Sequence, residues 1–251
     1  MSIDQFESFT HSTEKISHKV FYAGEGPAII VIHELPGMVK ECIAFAERLI
    51  SEGFTVYMPL LFGQPGKFNV AGNLYRVCIS WEFNLLAKRQ SSPIVTWLRD
   101  LCRAIHSEKG GKGVGAIGMC LTGGFAIPLM VEPSLMAPVL SQPSLPLLFG
   151  QKAMAASEEE LAIAKKRAEE EQITIKAYRF SKDPIVSAKR MKAYKDYFGE
   201  HFDYKELDSS HQKKFGKGCH SVFTLDFVHE PGHPTLDAYN DLVAYFNQQL
   251  K

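Results

Sequence analysis

Short apolar runs alternate with stretches of helical periodicity, and this alternation narrows the fold more than any other feature. Pro27 to Ile32 (PAIIVI), Phe54 to Met58 (FTVYM) and Val114 to Gly118 (VGAIG) are such runs. Runs this short and apolar suit strands buried on both faces. Ala137 to Leu140, Ile173 to Phe180 and Phe202 to Leu207 read as further strands. Between them lie candidate helices. Ile43, Ala46, Leu49 and Ile50 share one face of 41–51, and Ile94, Leu98, Leu101 and Ile105 share one face of 94–106. Phe125 to Val131, Ser187 to Phe198 and Thr235 to Leu250 complete the set. Strands alternating with helices predict a mostly parallel central sheet with helices on both faces, an α/β fold. The stretch before residue 27 reads as irregular, and 60–92 has no clear assignment.

The chain has 251 residues, a length that one α/β domain often reaches. No internal repeat or linker divides it, so a single domain over 1–251 is expected. Within it, 151–172 is a charged helical excursion. Its core, SEEELAIAKKRAEEE, carries a capping box of Ser157 and Glu160. A solvated face explains its charge better than a lid does. Lys and Arg number 28 against 28 Asp and Glu, which argues against nucleic acid as a partner. No apolar run approaches the roughly 20 residues that span a bilayer. The opening MSIDQFESFTHSTEK has charges and no apolar core, so the expectation is a cytoplasmic protein without a signal peptide. Five widely spaced cysteines with no CxxC argue against a disulfide framework or a structural zinc site.

One cysteine stands out. VGAIGMCLTGGFA, residues 114–126, sets Cys120 where a buried strand ends among small residues. This is the layout of a nucleophile elbow, a sharp strand-to-helix turn that presents Ser or Cys. Small neighbours let the turn close, and a following helix N-terminus would favour a thiolate and a developing oxyanion. The alternative for any cysteine is burial as a small apolar residue. Thr122 stands where the elbow pattern has its last glycine.

A thiol nucleophile needs a base, and the base an orienter. Asp183 follows a predicted strand, in RFSKDPIV, where catalytic groups of α/β sheets collect. Alone it could equally be a turn-forming Asp before Pro. Among the downstream histidines, His220 ranks first because it sits in a tight loop after the last strand, and His233 second because it precedes the last helix. His229-Glu230-Pro231-Gly232-His233 spells HExxH, but Pro231-Gly232 breaks the helix that zinc binding by that motif needs, so no metal is expected there. His33-Glu34-Leu35-Pro36-Gly37 follows the first apolar run. Leu35 can lend an oxyanion-hole N–H beside that of Leu121, and Glu34 can accept a hydrogen bond from the Cys120 thiol.

On Glu34 in HELPG, Cys120 in GMCLTGG, Asp183 in RFSKDPIV and His220 in CHSVF, the chain resembles the dienelactone hydrolase family from about residue 27 to its end. The resemblance implies an α/β-hydrolase fold with a Cys120–Asp183–His220 triad. It implies action on small esters or lactones through an acyl-thioester, without metal or cofactor. It also implies that Glu34 meets the resting nucleophile. The family's arginine four residues after the catalytic histidine is Thr224 here, which leaves the lactone itself open. The expected partner is a small ester or lactone, and the expected state a monomer or homodimer. The other readings are a non-catalytic small-molecule binder and a redox-responsive thiol, with Cys219 as resolving partner.

Overall fold

The computed structural model describes residues 3–79, 92–144, 151–211 and 218–251. The strands are β1 (Glu7–Ser12), β2 (Ser17–Ala23), β3 (Ala28–Ile32), β4 (Thr55–Pro59), β5 (Val114–Met119), β6 (Leu135–Ser141), β7 (Ile175–Phe180) and β8 (Phe202–Leu207). The helices are α1 (Lys40–Ser51), α2 (Val70–Ile79), α3 (Pro93–Lys109), α4 (Ala126–Leu129), α5 (Glu158–Glu170), α6 (Ala188–Phe198) and α7 (Pro234–Leu250). All eight strands form one sheet in the order β1-β2-β4-β3-β5-β6-β7-β8. From β4 to β8 every pairing is parallel, while β1–β2 and β2–β4 are antiparallel. The expected α/β-hydrolase architecture is therefore the one observed.

Alternation along each strand splits the core in two. Ile29 and Val31 of β3 face α1 and α7, where Phe45, Leu49, Leu242 and Phe246 pack. Ile30 and Ile32 face α3, whose Ile94, Leu98, Leu101 and Ile105 form the predicted stripe. Every residue of β3, β4 and β5 is buried, as their apolar composition requires. Each parallel strand thus delivers its carboxyl end to one edge of the sheet. The loops after β3, β5, β6, β7 and β8 all open there.

Three expectations change. The stretch before residue 27 is a hairpin, β1–β2, on the sheet's edge. β1 has no buried residue, so its sequence lacks the apolar signal of a core strand. The helix after Cys120 is short: a tight turn at Cys120–Thr122 leads into the four-residue α4. Pro133 disfavours helix at Glu132, and the chain must reach β6 at Leu135. The charged helix α5 is more than solvated. Its Leu161, Ala164 and Ala168 pack into the core, and Glu160 and Arg167 are buried. Arg167 donates to the carbonyls of Met130, Glu132 and Pro133 and to Glu171. Part of the 60–92 segment is α2, and 80–91 lies outside the described residues.

Candidate active site

β5 ends at Met119, and Cys120 turns the chain with φ of 55°. A left-handed φ costs a side-chain-bearing residue about 1–2 kcal/mol. The surrounding bonds hold it. The Cys120 carbonyl accepts from the amides of Gly123 (2.9 Å) and Ser144 (2.8 Å). Gly118 is required by close approach, because a Cβ there would lie 2.1 Å from the Thr122 carbonyl oxygen. Thr122 proves to be a fastener. Its Oγ1 accepts from the Met119 amide (3.1 Å) and lies 3.0–3.2 Å from the carbonyls of Met119, Ile32 and His33. The elbow is thereby joined to the end of β3.

β7 delivers Asp183. Its Oδ1 accepts the amides of Ile185 (2.8 Å) and Val186 (2.9 Å), and its Oδ2 lies 2.8 Å from His220 Nδ1. The loop carrying His220 is fixed by Asp226, whose Oδ2 accepts the amides of His220 (2.7 Å) and Ser221 (3.0 Å). With Nδ1 bound to Asp183, the free nitrogen is Nε2. Cys120 Sγ, a His220 nitrogen and a Glu34 oxygen all lie within 4.8 Å of one another. Nε2 approaches the sulfur without completing a hydrogen bond, and it is shielded from solvent. Burial lowers the His220 pKa, but the Asp183 carboxylate and the nearby Cys120 sulfur outweigh it and hold the imidazolium well above the ordinary range. Sγ also lies 3.3 Å from the Ser144 hydroxyl.

The expected thiol–Glu34 hydrogen bond is replaced. Ser221 Oγ donates to one oxygen of Glu34 at 2.8 Å, and Thr224 Oγ1 donates to the other. Burial pushes the Glu34 carboxyl up, and the two hydroxyls and the His220 charge pull it partly back. Thr224 therefore spends its hydroxyl on Glu34. The loop itself is a turn closed by Gly37 N–H to Glu34 O (2.9 Å), with Gly37 at φ of 106°. Asn73 of α2 donates to the carbonyls of Leu35 (3.2 Å) and Pro36 (3.1 Å). His33 accepts the Leu61 amide at Nε2 (3.1 Å) and lies 3.1 Å from the Glu34 carbonyl through Nδ1. Burial pushes its pKa down to about 4, so it stays neutral.

Cys120, Asp183, His220 and Glu34 are thus brought together, with Leu35 and Leu121 on the flanking turns. Ser144, Ser221, His33 and Asn73 carry no sequence signal, because the partners that matter lie in other loops, and Asp226 shows its role only once its own loop folds back on the amides of His220 and Ser221. His233 caps α7 through the Thr235 amide, His229 is exposed, and the HExxH string is not helical, so the two imidazoles do not share a helix face. No disulfide joins Cys120 and Cys219, both free and buried.

The family model for dienelactone hydrolases matches residues 17–205. The chain belongs to the dienelactone hydrolase family. The match takes in Glu34, Cys120 and Asp183 and stops short of His220, which the fold brings in. Solved structures show the same architecture. A Klebsiella pneumoniae protein assigned as a dienelactone hydrolase aligns with a TM-score of 0.68 at 15% identity, covering 97% of this chain and 98% of that one. The dienelactone hydrolase of Anabaena variabilis aligns at 0.65 and 13% identity, covering 98% and 99%. A dienelactone hydrolase-like promiscuous phosphotriesterase from metagenomic libraries aligns at 0.63 and 15%, covering 98% and 99%. No curated protein sequence matches the chain. Among the described residues, no helix is long and apolar enough to cross a membrane.

Proposed function

We propose that this dienelactone hydrolase family member cleaves small carboxylic esters or lactones through Cys120. The observation that carries the reading is the strained Cys120, facing a His220 whose other nitrogen bonds Asp183 at 2.8 Å. Cys120 attacks the carbonyl as a thiolate whose proton His220 already holds, and Asp183 orients and stabilises that imidazolium. The N–H groups of Leu121 and Leu35 receive the oxyanion. One such donor is typically worth about 3–4 kcal/mol of barrier. The tetrahedral intermediate expels the alcohol, protonated by His220, and leaves an acyl-thioester. His220 then takes a proton from water as the water attacks the thioester, and the acid departs as the thiolate–imidazolium pair reforms. No step calls on a metal or organic cofactor.

Position 224 offers the substrate no cation, because threonine is uncharged, and its hydroxyl is already bound to Glu34. Neutral esters and lactones therefore fit the site better than substrates with a free carboxylate. The two departures that favoured a non-catalytic binder, Thr122 and Thr224, both have structural partners, which weakens that reading.

The test is steady-state hydrolysis of aryl esters and enol-lactones, with and without a free carboxylate, by wild type and by Cys120→Ala. Turnover should vanish in a folded Cys120→Ala protein and should favour the neutral substrates. Turnover that survives in Cys120→Ala would refute the assignment of the nucleophile. A preference for the carboxylates would refute the substrate class.

A further inference from the structure

We infer that Cys120, His220 and Glu34 form a binding site for a zinc ion. The three side chains come from three different loops, yet each offers one ligand atom within 4.8 Å of the other two. Zinc bonds to sulfur at about 2.3 Å and to nitrogen or oxygen at about 2.0–2.2 Å, so tetrahedral ligand atoms stand about 3.4–3.6 Å apart. Contraction by about an ångström, within the reach of side-chain rotation, closes the site around the ion. A thiolate, an imidazole and a carboxylate are a borderline-soft set that suits zinc and disfavours calcium or magnesium.

The surroundings favour the ion. His220 Nε2 is buried and has no completed hydrogen bond among the described residues. Its Nδ1 is 2.8 Å from Asp183 Oδ2, the carboxylate–histidine arrangement that orients metal-binding imidazoles. Ser221 and Thr224 fix the Glu34 carboxylate in the same manner. Charge also balances. A thiolate and a carboxylate cancel the two charges of zinc, so the occupied site is neutral where isolated charges would be costly. The fourth position is left to water. Zinc displaces at least one proton, from sulfur or imidazole, and so binds more tightly as pH rises.

This inference does not rest on hydrolase activity. If Cys120 is the nucleophile, zinc is in addition a reversible inhibitor that competes with substrate. The decisive experiment uses the full chain, reduced and stripped of metal, with no substrate present. Zinc is titrated against a chromophoric chelator, and cobalt(II) is added separately as a spectroscopic probe. One zinc per chain should bind, with a sulfur-to-cobalt charge-transfer band. Cys120→Ser should abolish both. Glu34→Gln, which preserves shape and can keep its hydroxyl contacts, should weaken zinc at least tenfold. Asp183→Asn should weaken it about 10–100-fold. Cys102→Ala, on α3, should leave affinity unchanged. Zinc that binds equally to Cys120→Ser, or no zinc binding by a wild type that still hydrolyses esters, would overturn the inference and leave the proposed function standing.

Discussion

Thr122 is the residue whose replacement most directly tests how the elbow is built. Its hydroxyl is fully buried and meets four backbone groups. It accepts from the Met119 amide and gives its one proton to a carbonyl among Met119, Ile32 and His33. Thr122→Val keeps the shape and removes both roles. The Met119 N–H is then buried without a partner, at a cost of about 1–3 kcal/mol, and the lost donation adds about 1 kcal/mol. The total is about 2–4 kcal/mol. For a chain of this size each kcal/mol is about 2–4 °C in Tm, so a fall of roughly 4–16 °C is expected. Thr122→Ser keeps the hydroxyl and loses a methyl, at about 1 kcal/mol. Urea denaturation and thermal scanning of the three proteins give the order wild type, Ser, Val. Ester turnover should follow it, since Cys120 then loses a support for its left-handed backbone. A valine variant as stable as wild type, with serine the weaker, would refute the role of the hydroxyl and show that methyl packing matters here instead.

The neutral His33 makes acid stability a second test. Its folded pKa of about 4 lies below the unfolded value of 6.5, so the unfolded chain takes the proton first as pH falls. Its contribution is complete above pH 6.5 and is lost towards pH 4, at about 1.4 kcal/mol per pH unit, or about 3 kcal/mol in all. The raised Glu34 carboxyl acts with the opposite sign, since stability linked to it is complete below its unfolded pKa and is lost as pH rises. The difference between wild type and His33→Gln in urea melts at pH 4–7 therefore isolates the histidine, and a pH-independent difference would contradict its buried neutral state. Gly118→Ala places a Cβ 2.1 Å from a backbone oxygen, so the elbow must move. Loss of more than about 3 kcal/mol is expected, and a soluble variant of normal Tm would refute the close approach. A Ser144 hydroxyl donating to the sulfur anion is worth about 1 kcal/mol. Ser144→Ala should slow alkylation of Cys120 by iodoacetamide about fivefold, and an unchanged rate would show that the 3.3 Å contact does not assist the thiolate.

Legibility in the sequence tracks how local each determinant is. β3, β4 and β5 announce themselves because burial on both faces demands uninterrupted apolar residues. β1 does not, because an edge strand with polar, exposed side chains has no core to declare. Glu160 and Arg167 read as solvated charges on α5, since nothing local reveals that Arg99 and three carbonyls await them. At the site, Cys120 is legible from its small neighbours, and Asp183 and His220 from their places after strands. The partner of Glu34 was not legible. Its hydroxyls come from residues 187 and 190 positions away in sequence, and only the fold brings them to it.

These long-range bonds converge on the loop after β3. Thr122 ties the elbow to Ile32 and His33. Ser221 and Thr224 tie the His220 loop to Glu34. His33 and Asn73 tie the same loop to the segment after β4. Cys120 and His220, whose ligand atoms lie within 4.8 Å of one another, are therefore set relative to one another through residues 32–36. Substitutions that loosen either tie displace the same loop, so their effects should not add. Thr122→Val and Thr224→Val lie on opposite arms of this connection. In a double-mutant cycle, sites that share a structural intermediary show coupling of about 0.5–3 kcal/mol, whereas independent sites add within about 0.5 kcal/mol. Simple additivity in stability and in turnover would mean that the elbow and the histidine loop are positioned separately, by β5 and β8 alone.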